Sequence, residues 1–138
     1  MLVNRVEHAI ALILMWWESG NARDFPWRRD RTPYRVLVAE VILRRTTSTA
    51  ALRVYGEFLR RWPDIRALAS ASISGLEGLL EAVGYHKLRA RILVEMARFI
   101  EREYGGEIPN DRERLLRIPH VGPYIAGAIL SLGYGVPA

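Results

Sequence analysis

The sequence predicts an all-α fold, and three observations carry that prediction. Apolar residues recur at helical spacing in one segment after another, and no stretch alternates convincingly at the period of a strand. Capping residues stand where these segments start, and glycine or proline stands where they end. The joints between segments are tight turns, which suit short packed helices rather than a sheet with crossovers.

Each element follows in order. Val3, Val6, Ile10, Ile13, Leu14 and Trp17 share one face of an N-terminal helix that Ser19-Gly20-Asn21 ends. Phe25-Pro26-Trp27 is an extended connector, because a residue before proline avoids the helical region. Thr32-Pro33 supplies a cap and a first position for a helix running to about Arg45. The next helix spans roughly Ser48 to Trp62, with Val54, Tyr55, Phe58, Leu59 and Trp62 apolar and Pro63 beyond it. Asp64 caps a short helix through Ala69, and Ser74-Gly75-Leu76-Glu77 has the form of a capping box opening another, which Gly84 ends. A long amphipathic helix from about Lys87 to Tyr104 turns Leu88, Ile92, Met96 and Phe99 or Ile100 inward, and Gly105-Gly106 stops it. Asn110 or Asp111 caps a short helix to Arg117, and Pro123 opens the last, to about Leu132.

Composition narrows the function. The 138 residues, half of them apolar, suffice for a compact domain with a core. Twenty basic against 15 acidic residues give a formal charge of +5 and a pI near 10.1. Lys87 is the only lysine, and the remaining basic residues are arginine, whose planar fork suits phosphates and base edges. A general preference for arginine would give the same count. There is no cysteine, so the chain has neither disulfides nor thiolate ligands. The apolar run Ala9–Trp17 is too short for a membrane span and no cleavage site follows it. A soluble, intracellular protein with no membrane partner is expected.

Two short helices flank Ile118-Pro119-His120-Val121-Gly122-Pro123. Pro119 stops the first helix, Gly122 permits positive φ in the turn, and Pro123 suits the first position of the second. Such a turn leaves backbone N–H groups unpaired where an anion is favoured, and a DNA phosphate is a natural partner. An ordinary αα-turn would look the same locally.

Leu116-Arg117-Ile118-Pro119-His120-Val121-Gly122-Pro123-Tyr124-Ile125-Ala126 resembles the helix-hairpin-helix of the endonuclease III and adenine glycosylase superfamily. The likeness runs from Asp24-Phe25-Pro26-Trp27-Arg28 to the C-terminus. Arg23–Arg28, Leu43-Arg44-Arg45-Thr46-Thr47 and Tyr124 look most like mismatch-specific thymine-DNA glycosylases. The resemblance implies a six-helix-barrel-type domain over 23–138 with its hairpin at 111–132, and an N-terminal helix, 1–22, packed on a C-terminal part not contained here. It implies double-stranded DNA with a mispaired or damaged base as partner, and removal of thymine or uracil opposite guanine. Removal of adenine opposite oxidised guanine, or a non-catalytic or split-enzyme DNA-binding module, are the alternatives.

In one place the chain departs from the family. His120 stands where the family has its first hairpin glycine, and histidine tolerates left-handed geometry better than most residues.

Glu40 lies in an apolar run, Val36–Leu43, where almost any helical phase puts its carboxyl near the buried face. Desolvation there would keep it protonated beside an incoming base, a way to improve a poor leaving group. Pairing with Arg44 one turn on is the plainer alternative. The resemblance assigns Glu40 to the base contact. It also puts Tyr124 where lyases carry a sugar-attacking lysine, so hydrolysis is expected rather than an imine. By the same resemblance Tyr124 shapes the base pocket or the sugar contact. A catalytic aspartate and the cysteines of an iron–sulfur loop are expected beyond Ala138, in a missing segment or complementary chain, leaving this chain inactive alone.

Arg44-Arg45-Thr46 at a helix end, and the loop Gly84-Tyr85-His86-Lys87, are candidate groove contacts. Arginine can grip a guanine edge, and by resemblance Tyr85 stands where relatives insert a wedge into the stack. With Pro119, His120, Val121, Gly122 and Tyr124 these complete the expected DNA-contacting set.

Overall fold

The computed structural model of the chain describes residues 32–42 and 49–136. The expected helix over Val3–Trp17, the connector at 25–27 and the contacts assigned to Arg44, Arg45 and Thr46 lie outside the described residues. Among the described residues every regular element is helical, and no helix is long and apolar enough to cross a membrane.

At the centre stands α1 (Pro33–Ile42). Thr32 caps it as expected, its Oγ1 accepting from the Arg35 N–H at 3.2 Å. Apolar residues cover every side of this helix, so it is buried all round, from Tyr34 and Val36 through Ile42. Around it pack α2 (Thr49–Arg61), α5 (His86–Tyr104) and α7 (Pro123–Ala128). The Tyr34 hydroxyl donates to the Trp62 carbonyl at 2.5 Å, tying α1 to the end of α2.

The short helices α3 (Ile65–Ala69) and α4 (Ile73–Leu80) lie against α5. Asp64 caps α3 as its sequence implies, accepting from Ala67 N–H at 2.8 Å. The cap of α4 is Ser72 rather than Ser74, with its Oγ accepting from Gly75 N–H at 3.3 Å. That places Gly75, not an acid, at the third helical position, so no reciprocal box forms. A 3₁₀ turn, Glu81–Val83, leads to Gly84 at φ 79.

The buried face of α5 also differs from the expected one. Arg89, Ala90, Leu93, Val94, Met96, Ala97 and Ile100 are buried, whereas Leu88 is 44% exposed and Ile92 and Phe99 are only partly covered. Three helices pack on α5, and its small residues Ala90 and Ala97 are fully buried. A phase drawn through large apolar residues alone therefore misses the centre of the face. Gly105 and Gly106 end the helix at φ 63 and 88, with the Gly106 N–H reaching the Ile100 carbonyl at 3.1 Å.

Asp111 is the cap of α6 (Arg112–Arg117), accepting from Arg114 N–H at 3.0 Å. After the hairpin, α7 widens at Ile129–Gly133 into a π turn, closed by Tyr134 N–H on the Ile129 carbonyl at 3.1 Å. This turn packs on the start of α1 so tightly that a Cβ at Gly133 would stand 2.9 Å from Pro33 Cα.

Candidate active site and nucleic-acid interface

Glu40 and Tyr124, 84 residues apart in sequence, meet in the structure. The Tyr124 hydroxyl donates to Glu40 Oε1 at 3.1 Å. Glu40 is 6% exposed on a helix sealed on every side, and Tyr124 is half-buried in the first turn of α7. Pro123 opens α7 and Gly122 precedes it in an extended conformation, which aims that turn back at α1. A carboxyl held by a phenol, with little access to water, can give a hydrogen bond to a heterocycle or take one from it.

The hairpin's two helices lie against each other. Leu115, Ile118, Val121 and Ile125 anchor it in the core, so the Val121 side chain is a packing residue and only its backbone is left for an outside partner. The left-handed residue of the turn is His120 at φ 67, not Gly122, whose φ is −97. Histidine bears the strain of that left-handed conformation, which it tolerates better than most residues. Across the hairpin His120 Nε2 lies 2.6 Å from Glu95 Oε1 on α5, a partner that sequence reasoning missed because the two are 25 residues apart. A Cβ on Gly122 would meet nothing within 4 Å, so steric fit inside the chain does not require glycine there. Pro119 is half-buried beside it.

Tyr85 stands at the N-terminal end of α5. It is 65% exposed and left-handed, at φ 49 and ψ 35, immediately after positive-φ Gly84. Positive φ on a bulky aromatic residue is an outlier that the surrounding structure must hold in place. The exposed loop is shorter than the sequence suggests, because His86, half-buried, and Lys87 already belong to α5.

Beneath Tyr85 lies Arg89, another residue sequence reasoning missed. It is 5% exposed and donates from Nη1 to the Ile42 carbonyl at 2.8 Å, across to α1. No signal in the sequence separates this arginine from the exposed ones around it. Among the described residues no group of histidine and carboxylate side chains is arranged to hold a metal ion.

The family model described as HhH-GPD superfamily base excision DNA repair protein matches residues 38–133. A thymine-DNA glycosylase of Aeropyrum pernix is 41% identical over 133 residues, covering 96% of this chain and 60% of that protein. The human adenine DNA glycosylase is 38% identical over 131 residues, covering 88% of this chain and 24% of its own length. Among solved structures, a thermostable thymine-DNA glycosylase superposes with a TM-score of 0.75 at 32% identity, over 96% of this chain and 61% of its own. The chain thus spans about 60% of the thymine-DNA glycosylases it matches.

Proposed function

The chain belongs to the HhH-GPD superfamily of base excision DNA repair proteins, and we propose that it forms the base-pocket and hairpin part of a monofunctional DNA glycosylase acting on thymine or uracil mispaired with guanine. The observation that carries this reading is the Glu40–Tyr124 hydrogen bond, which joins the buried helix to the hairpin.

Removing a base requires it to leave the stack and its leaving group to be stabilised. Tyr85, exposed and fixed in a strained backbone conformation, fits the residue that fills the vacated space. The hairpin of Pro119, His120, Gly122 and the start of α7 fits a phosphate grip, with Gly122 leaving room for a strand to come close to the backbone. Glu40 then faces the extruded base, where its carboxyl hydrogen bonds to the departing ring and passes a proton to it. Tyr124 orients that carboxyl. A phenol does not form an imine with the sugar, so the reaction ends at hydrolysis without strand cleavage.

An aspartate that stabilises the sugar cation, and an iron–sulfur loop, belong on this reading to sequence outside these residues. The chain has no cysteine, so its own residues do not fit such a cluster. The isolated chain accordingly binds duplex DNA without turning it over. The test is a panel of G·T, G·U and A·8-oxoguanine duplexes offered to the complete protein. Release of thymine and uracil, with sealed strands until alkali is added, is the expected result. Release of adenine alone moves the protein to the adenine-specific branch, and no release from any duplex overturns the reading.

A further inference from the structure

Glu40 and Arg89 are the buried carboxylate and guanidinium residues among the described ones, and they sit on two helices in contact. A buried guanidinium is costly unless its donors are engaged, and an apolar side chain of similar volume often replaces one without loss of stability. What Arg89 touches gives it a use. Its Nη1 donates at 2.8 Å to the carbonyl of Ile42, the last described residue of α1 and two positions beyond Glu40. On its other side the guanidinium lies 5.9 Å from the centre of the Tyr85 ring. The Arg89 backbone N–H also donates to the Tyr85 carbonyl at 2.8 Å.

We propose that Arg89 is a positioning residue, which fastens the Tyr85 wedge to the Ile42 carbonyl on the helix carrying Glu40. The proposal rests on the glycosylase reading and adds to it a mechanical link between its two working parts. Arg89 is too buried to take a phosphate, so it contributes no DNA contact of its own. Its role is to hold Tyr85 in its strained pose and to fix α1 at Ile42, so that insertion at one and base contact at the other share one geometry.

The test uses the complete protein on a G·T duplex, with Tyr85→Ala, Arg89→Met and the double variant. Single-turnover base release at saturating enzyme, duplex affinity and Tm are measured for each. Arg89→Met is expected to slow base release by about ten-fold or more, the scale on which small misplacements act, while affinity stays within about three-fold. The double variant should be no slower than the slower single one, because both remove the same link. Arg89→Lys, which keeps the charge and one donor, should recover part of the rate, and it carries the same cycle with Tyr85→Ala if Arg89→Met does not fold. Rates that multiply in the double variant, or a lowered Tm with an unchanged rate, overturn the proposal while the glycosylase reading stands. A wild-type protein that releases no base overturns both.

Discussion

Glu40 and Tyr124 divide the work of the proposed site between one carboxyl and one hydroxyl, and conservative substitutions separate the two. Glu40→Gln keeps an acceptor for the Tyr124 hydroxyl and almost the same volume but cannot pass a proton. Base release by the complete protein is expected to fall about 10²–10⁴-fold, the usual worth of a positioned acid, with duplex affinity unchanged. Loss of affinity in parallel with rate would instead make Glu40 a structural residue. Elsewhere, burial, and then the nearby Asp64 carboxylate, hold the Tyr34 phenol well above its ordinary value, and burial does the same for Tyr55. A phenol whose pKa is raised on folding stabilises the fold fully below about pH 10, and that contribution fades as the pH rises beyond it. Denaturant midpoints followed from pH 8 upward should therefore drop on the alkaline side. In Tyr34→Phe the drop should be shallower, from a starting point lowered by about 1–3 kcal/mol for the Trp62 carbonyl left without its donor.

At the scale of elements, the close approach of the π turn to α1 keeps the hairpin and the Glu40 helix in register. Gly133→Ala would drive a Cβ to 2.9 Å from Pro33 Cα, which is backbone and cannot swing aside. Overpacking of this kind costs about 1–3 kcal/mol, and chemical denaturation of the variant should show a loss in that range. At Gly122 the same substitution meets open space and a permitted φ. Gly122→Ala is expected to leave stability within about 0.5 kcal/mol, as for surface substitutions away from special features, and to weaken duplex binding. Equal binding by Gly122→Ala would remove the hairpin from the interface. The caps at Asp64 and Asp111 and the stop at Gly105-Gly106 were legible in sequence because each is a contact within a few residues. The inward face of α5 was not, because three neighbours decide it.

At the scale of the whole molecule, the basic residues among the described ones divide into paired and unpaired. Arg60, Arg66, Arg102, Arg114 and Arg117 each face a carboxylate, whereas Lys87 and Arg91, one turn apart near the base of the Tyr85 wedge, have no ion-pair partner among the described residues. Duplex affinity should fall with salt at a slope of about −0.9 per neutralised phosphate. Replacing Lys87 or Arg91 with alanine should flatten that slope by about 0.9, and Arg60→Ala should leave it alone. Titrations at several salt concentrations check this, and equal slopes for all three variants would remove α5 from the interface.

The sequence by itself determined the all-α class, most helix ends, the hairpin and the family, because periodicity, caps and turn residues are local properties that survive without the fold. It also singled out Glu40 and Tyr124, one from an apolar run and one from a motif. Only the tertiary structure decided that they touch, that His120 rather than Gly122 takes the left-handed turn with Glu95 beside it, and that Arg89 is buried beneath Tyr85. Each of these depends on residues 25 to 84 positions apart, or on which of several arginines the packing encloses, and neither is written in local sequence.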